Sequence, residues 1–350
     1  MKTRLLCLFL CLILALLSLP SCKKKIQEPP TKAESYYDYF DTVSVIISYA
    51  GDGEEAFAAN CAAVSDILEN YHKLFDIYYE YAGINNLKTV NKNAGKEPVK
   101  VDRELIDFLL YAKEIYTLTR GKTNIAMGSV LKLWHDARED GINSPEKAYI
   151  PDETSLNEAA KHTDIDDVII NETDCTVFLA DPQMSIDVGA LGKGYAVEKA
   201  AELLISKNVT SYVLNIGGNI RAIGEKVTGK GFITGITNPD KSSLESFVCR
   251  IDIRDISLVT SGDYERFYTV DGEHYHHIID PETNMPSKYF SSVSVLTKDS
   301  GLADALSTAL FCMSYEEGLA IIENIGGVDA IWVFPDGKVV MTNGIKTVTE

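Results

Sequence analysis

The sequence predicts an α+β fold: one large catalytic unit over residues 36–345, with mixed and antiparallel sheets flanked by helices. Strand-like segments, short and alternating, mostly cluster apart from segments with apolar residues at three- and four-residue spacing. No repeat, low-complexity tract or second linker divides the chain after residue 36, and 350 residues with 45% hydrophobic content supply ample core material.

Alternation over residues 42–48 (TVSVIIS) predicts the first strand. Residues 54–71 and 102–118 carry the apolar spacing of amphipathic helices, and Asp102 is a good N-cap followed by an acid in the first turn. Residues 168–179 read as a hairpin around Asn171-Glu172-Thr173-Asp174. A helix over 194–205 leads to a strand over 212–216. Hairpin-like strands follow at 220–223, 231–237, 247–253, 267–270 and 275–279. A strand over 292–296, helices over 302–313 and 315–325, and a strand over 330–334 complete the order.

Residues 1–22 read MKTRLLCLFLCLILALLSLPSC, with Lys2 and Arg4 ahead of an apolar run from Leu5 to Leu19. This is the pattern of a secretory signal, residues 1–21, cleaved before Cys22. A transmembrane anchor is the alternative, but the run is short for a hydrocarbon layer of about 30 Å and Pro20 interrupts it. Leu19-Pro20-Ser21-Cys22 resembles a bacterial lipobox. That resemblance implies a lipid on Cys22 and a place on the extracytoplasmic face of the bacterial cell envelope. Residues 22–35, polar with a Pro-Pro step, are expected to form a flexible tether.

A net charge of −18 argues against a nucleic-acid surface, which needs clustered Lys and Arg to neutralise phosphates. An anionic ligand would need local help from backbone N–H groups, a placed lysine or a cation. Cys61, Cys175, Cys249 and Cys312 are widely spaced with no C-x-x-C pair, and are expected to be buried thiols without a chemical role.

Four stretches could carry chemistry. In SIDVGALGKGYAVEKA, residues 185–200, a short strand ends at Asp187 and a glycine-rich turn holding Lys193 precedes a helix. The turn fits neither the P-loop nor G-x-G-x-x-G, so it is either a plain connection or a phosphate-facing loop. Asn215-Ile216-Gly217-Gly218-Asn219 is a second glycine turn, read as a tight hairpin corner. In LADALSTAL, residues 302–310, Asp304 and Thr308 stand four apart on one helical face. They either offer two hard oxygens to a cation such as Mg²⁺ or serve the helix itself. In GEHYHHIIDPETNMP, residues 272–286, His274 and His276 share one strand face and Tyr275 and His277 the other, which disfavours a histidine metal cluster. His277, at the strand end, is either a proton-transfer group or a satisfied histidine.

Together with FDTVSVII, LFDIYYEYAGINNLKTVN, NIAMGSVLKLW and VTSGDYERF, these stretches occur in the order found in the FAD:protein FMN transferases, the ApbE family of lipoproteins, which the chain resembles over nearly its whole mature length. The resemblance implies transfer of the FMN moiety of FAD to a Thr or Ser hydroxyl of an acceptor protein, with release of AMP. It implies Mg²⁺ held by the Ala190 carbonyl, Asp304, Thr308 and the Gly301 carbonyl, and His277 as general base. Phe40, Tyr78, Ala126, Met127, Gly128, Asp187, Lys193 and Ile278 match FAD-contacting positions, and the implied acceptors are subunits of membrane redox complexes carrying a Thr/Ser motif. Two departures stand out: Phe40-Asp41-Thr42 replaces Met-Gly-Thr, and Asn284 replaces a glycine after Asp-Pro-x-Thr. Two other readings use the same residues: a Mg²⁺-dependent FAD pyrophosphatase yielding FMN and AMP, and a flavin-binding lipoprotein without turnover.

Overall fold

The structure, a computed structural model, describes residues 27–348, so the signal sequence and Cys22 lie outside the described residues. Eight strands form the main sheet: β1 (Lys32–Tyr39), β2 (Thr42–Ser48), β3 (Tyr212–Ile216), β4 (Asn219–Ile223), β5 (Ser257–Gly262), β6 (Ser292–Thr297), β7 (Asp329–Val333) and β8 (Val339–Met341). Their order across the sheet is their order along the chain, and every neighbouring pair is antiparallel. The sheet is a meander with expanded connections.

The longest connection, from β2 to β3, carries helices α1 (Glu54–Phe75), α2 (Leu87–Lys92), α3 (Arg103–Leu118), α4 (Gly128–Asn143), α5 (Glu153–Ala159) and α6 (Gly192–Ser206). It also carries a small sheet of Val99–Lys100, Val168–Asn171 and Thr176–Leu179. Helices α7 (Ser300–Phe311) and α8 (Tyr315–Ile325) join β6 to β7.

Strand alternation explains the layers. On β3, Tyr212, Leu214 and Ile216 enter the core with α1 and α6, while Val213 faces the opposite side. On β7, Ala330 and Trp332 pack with α7 and α8, while Ile331 faces away. That opposite face is covered by a hairpin, Phe232–Thr237 with Phe247–Ile253, through Phe232, Ile236, Ile251 and Ile253. A strand buried on both faces loses the polar alternation that marks a half-exposed one, and β6 is buried at all six positions.

Several elements differ from expectation. β1 begins at Lys32, inside the stretch read as tether, because it pairs with β2 from Lys32 opposite Ser48. β5 and α4 carry no strong periodicity and were not expected. Residues 275–279 are not one strand. Glu273–His276 pairs with Phe267–Val270, and Ile279–Asp280 pairs with Met285–Pro286, so the chain changes partner at His277 and Ile278. Cys61 and Cys312 are buried free thiols as expected, but Cys175 and Cys249 are only partly buried.

Candidate functional site

The site forms where α6 and α7 start side by side on the sheet. α7 is capped by Asp299, whose side chain accepts the Leu302 N–H at 2.9 Å. Its small residues Ser300, Gly301, Ala303 and Ala305 are buried. Close approach is possible because α6 has a glycine at the contact: a Cβ on Gly194 would lie 2.4 Å from Asp304 Cβ and 2.4 Å from the Ser300 carbonyl oxygen. The Gly194 N–H is one of the donors that a helix start leaves without an internal acceptor, and it donates to Asp304 Oδ2 at 2.7 Å. Asp304 therefore caps α6 from a neighbouring helix, with its negative charge at the positive end of the dipole.

This arrangement places the four residues matched to a metal. The Leu191 carbonyl accepts from Tyr195 N–H, so the Ala190 carbonyl one residue earlier lies outside the helical ladder. Gly301, Asp304 and Thr308 share one face of α7, but Gly301 is the second residue of that helix, which puts its carbonyl within the ladder. Thr308 Oγ1 is 3.4 Å from Ser261 Oγ, which is 2.8 Å from Ser307 Oγ. Burial pushes the Asp304 carboxyl above its usual range despite the nearby Lys193 and the Gly194 N–H. A buried carboxylate with incomplete compensation, a hydroxyl and the Ala190 carbonyl fit Mg²⁺, which takes few protein ligands and keeps water or phosphate oxygens. Among the described residues no group of three His, Cys, Asp or Glu could hold a metal, so a zinc-type centre does not fit.

Lys193 rises from the same turn, and its ammonium bonds Asn219 Oδ1. Burial pulls the Lys193 amine below its usual value, opposed by Asp304 and reinforced by Arg266. Asn219 is buried, and its side chain helps hold the Asp304 carboxylate charged. The glycine turn at 215–219 is the expected β3–β4 hairpin corner. It also brings this amide to the site, with Gly217 at φ 54 where a Cβ would strike Thr42.

The second wall is the segment before α4. Met127 bridges to Ser185, the Gly128 N–H donates to the Ser185 carbonyl at 3.1 Å, and the Asp187 N–H donates to the Ile125 carbonyl at 2.9 Å. A Cβ on Gly128 would lie 2.4 Å from Ser185 Oγ, which accounts for that glycine. Ala126 and Met127 are thus buried beside the Asp187 strand end. Asp187 Oδ1 accepts from Gly189 N–H at 2.9 Å, and burial raises its carboxyl. Tyr78 is half exposed, with its ring 5.6 Å from that of His135. Arg138, one turn after Trp134 on α4, donates to His135 Nδ1 at 3.1 Å, and its charge bears on Tyr78, Asp187 and His277 alike. Trp134 Nε1 donates to the Asn284 carbonyl at 2.8 Å and so ties α4 to the Asp280–Asn284 turn.

The histidine cluster separates by geometry. His276 uses both ring nitrogens: Nε2 donates to the Ser287 carbonyl at 2.7 Å and Nδ1 accepts the Ile278 N–H at 3.2 Å. It holds the chain where the strand breaks, and with it the buried Ile278. His274 is exposed against Phe267. His277 is fixed only through its backbone N–H, 3.1 Å from the Arg266 carbonyl, and its buried Nδ1 has no partner. Burial first, then Arg266, His276 and Arg138, hold its imidazole down at about 3. It is neutral at any physiological pH and has a lone pair free to take a proton.

Both departures are accommodated in the left-handed region. Asn284 has φ 56, a value asparagine tolerates. Phe40 (φ 53) and Asp41 (φ 50) occupy the two-residue β1–β2 turn, where positive φ at both positions matches the strand twist. A phenylalanine there is unusual. It is held by its N–H to His72 Nδ1 at 3.3 Å and by its ring, 5.7 Å from the same imidazole.

Sequence reasoning did not single out Arg138, Asn219 or Arg266. Asn219 and Arg266 lie inside stretches already marked, NIGGN and DYERF, whereas Arg138 sits on the unexpected helix α4.

Fold and site together define an α+β protein in which Lys193, Asp304 and the start of α6 meet at the β3–β4 corner of the main sheet, with the neutral His277 at a break between two short strand pairs. The chain belongs to the ApbE family, whose pattern matches residues 40–332. It is 36% identical over 273 residues to the FAD:protein FMN transferase of Treponema pallidum, covering 74% of this chain and 73% of that one. It is 29% identical over 291 residues to the enzyme of the same name from Klebsiella pneumoniae, covering 83% and 86%. Among solved structures, the ApbE protein of Thermotoga maritima superposes with a TM-score of 0.78 at 25% identity, covering 90% of this chain and 98% of that one. The flavin transferase ApbE of Vibrio cholerae gives 0.72 at 25% identity with the same coverage.

Proposed function

We propose that this chain transfers the FMN moiety of FAD to a Thr or Ser hydroxyl of an acceptor protein through a phosphoester bond, releasing AMP, with Mg²⁺ as cofactor. The observation that supports the reading is the unpartnered Nδ1 of the neutral His277, together with Lys193 at the α6 N-terminus. The acceptor oxygen bonds to the FMN phosphorus, the bond from that phosphorus to the bridging oxygen breaks, and AMP leaves with that oxygen. His277 takes the hydroxyl proton as the new bond forms. Lys193 and the α6 N-terminus oppose phosphate charge, and Tyr78, Phe40 and the 126–128 segment line the place for the ring systems. Mg²⁺ at Asp304, Thr308 and the Ala190 carbonyl would offset charge on the diphosphate.

The acceptors fitting this chemistry are extracytoplasmic subunits of membrane redox complexes bearing a Thr/Ser motif. The lipobox-like Leu19-Pro20-Ser21-Cys22 supports a lipid anchor that would keep enzyme and acceptor at the same membrane face. The test incubates protein, FAD, Mg²⁺ and candidate acceptors, then denatures and measures flavin retained on the acceptor by fluorescence and mass. Retained flavin is expected. AMP released at the same rate without acceptor would instead indicate a pyrophosphatase, and FAD bound without AMP release a carrier. His277→Ala should keep FAD binding and lose transfer, and Asp304→Ala should remove the Mg²⁺ response.

A further inference from the structure

Arg266 follows Glu265 at the end of the strand Phe267–Val270 and lies beside the proposed chemistry without a pairing of its own. Its carbonyl accepts the His277 N–H, and the adjacent register pairs Phe267 with His276, so Arg266 and His277 stand opposite one another with side chains on the same face. Its guanidinium is exposed and makes no ion pair or side-chain hydrogen bond among the described residues, although the chain carries 51 acids against 33 Lys and Arg. Its charge lowers the proton affinity of both Lys193 and His277. The Arg266 and Lys193 charges repel one another, and the Arg266 charge disfavours protonation of His277. Such an arrangement becomes favourable when an anion with several oxygens enters.

We infer that Arg266 is a further catalytic residue, whose guanidinium engages the oxygens of the phosphorus under attack, opposite Lys193. The inference rests on the proposed transferase reading and adds a contact to it. Arg266 neither gains nor loses a proton: the hydroxyl proton goes to His277, the bridging oxygen leaves with AMP, and the guanidinium donates hydrogen bonds to the non-bridging oxygens. A planar fork matches two such oxygens, whereas an ammonium offers one point of charge. The gain is greatest where charge is spread over the equatorial oxygens in the transition state.

The test compares Arg266→Gln and Arg266→Lys with the unsubstituted protein, and with Arg254→Gln as a control that removes one positive charge from an exposed pairing with Glu225 and Asp252. Transfer to the protein acceptor of the Klebsiella pneumoniae relative gives kcat and KM, and equilibrium binding uses ADP as diphosphate probe and riboflavin as ring probe. Expected for Arg266→Gln are a fall in kcat of about 100-fold or more and ADP binding weakened about tenfold, with riboflavin binding unchanged. Arg266→Lys should recover only part of the loss, and Arg254→Gln should change neither. Transfer by Arg266→Gln within about threefold of the unsubstituted protein overturns the inference. So does a loss of riboflavin binding equal to that of ADP, which would mean a disturbed site. If the unsubstituted protein transfers no flavin while the selective ADP loss remains, the proposed function fails and the contact stands.

Discussion

The depressed basicity of His277 has a thermodynamic consequence that needs no substrate to observe. In the folded chain its imidazole is held at about 3, against 6.5 for an ordinary histidine, chiefly because burial disfavours the charged ring. Above an ordinary histidine's pKa, both folded and unfolded states hold it neutral and it costs nothing. As pH falls below that value the unfolded chain binds a proton there and the folded chain does not, so stability drops until the folded pKa is reached. At about pH 5 the expected penalty from this one group is about 2 kcal/mol, and at about pH 8 it is close to zero. Asp187 and Asp304, whose carboxyls burial raises, titrate with the opposite sign, so the total pH dependence of the protein does not isolate the imidazole. Substitution does. Urea denaturation of the unsubstituted protein and of His277→Gln, each at both pH values without FAD or Mg²⁺, gives a double difference of about 2 kcal/mol, with the variant losing less stability on acidification. A double difference within about 0.5 kcal/mol of zero would mean that His277 titrates as a solvated histidine and would remove the claim of a permanently neutral base.

Two further substitutions probe the packing that builds the site. Gly194→Ala introduces a methyl 2.4 Å from Asp304 Cβ and from the Ser300 carbonyl; the separation of α6 and α7 should cost about 2 kcal/mol despite alanine's better helix propensity, and should blunt the Mg²⁺ response, as read by denaturation and a Mg²⁺ titration of activity. Lys122 pairs with Asp280 at 2.9 Å, the two side chains only 9% and 5% exposed; Lys122→Met should destabilise by about 3 kcal/mol because it strands the buried Asp280 carboxylate, whereas Lys122→Met with Asp280→Asn should recover most of that loss.

The parts of this protein legible in its sequence are those in which local pattern and final environment agree. β2 alternates because one face meets α1 and the other is partly exposed, and its expected bounds match those observed. The α8 start carries a full capping box at Ser314 and Glu317, and that helix too runs between its expected limits. β5 has no such clarity: Ser257, Leu258 and Val259 are buried in succession between two neighbouring strands, which erases the period of two. α4 was hidden for a different reason. Its buried Val130, Trp134 and Ala137 have helical spacing, but charged residues crowd the rest, and the helix starts from a segment held by Ser185 rather than by a side-chain cap of its own. At the site, the one-letter pattern showed which residue types could act. It could not show that Asp304 would serve as cap to α6, or that His276 would spend both ring nitrogens on structure while His277 kept one free.

That division of labour explains how a chain of net charge −18 can hold a dianionic ligand. Long-range repulsion from scattered surface acids is screened within about 8 Å at physiological salt, so the local arrangement decides. Around the site, Lys193, Arg266 and Arg138 supply positive charge, and the α6 N-terminus adds backbone donors. Asp304, buried beside Lys193, already has Gly194 N–H against one oxygen. Were its carboxylate there only to neutralise Lys193, burial would favour a neutral pair, since two desolvated charges gain little over none. Its position on the same helical face as Thr308, one turn away, instead suits a ligand that brings both a cation and phosphate oxygens. The uncompensated charges of Lys193, Arg266 and Asp304 are thus of both signs, as a diphosphate bound with a cation would require.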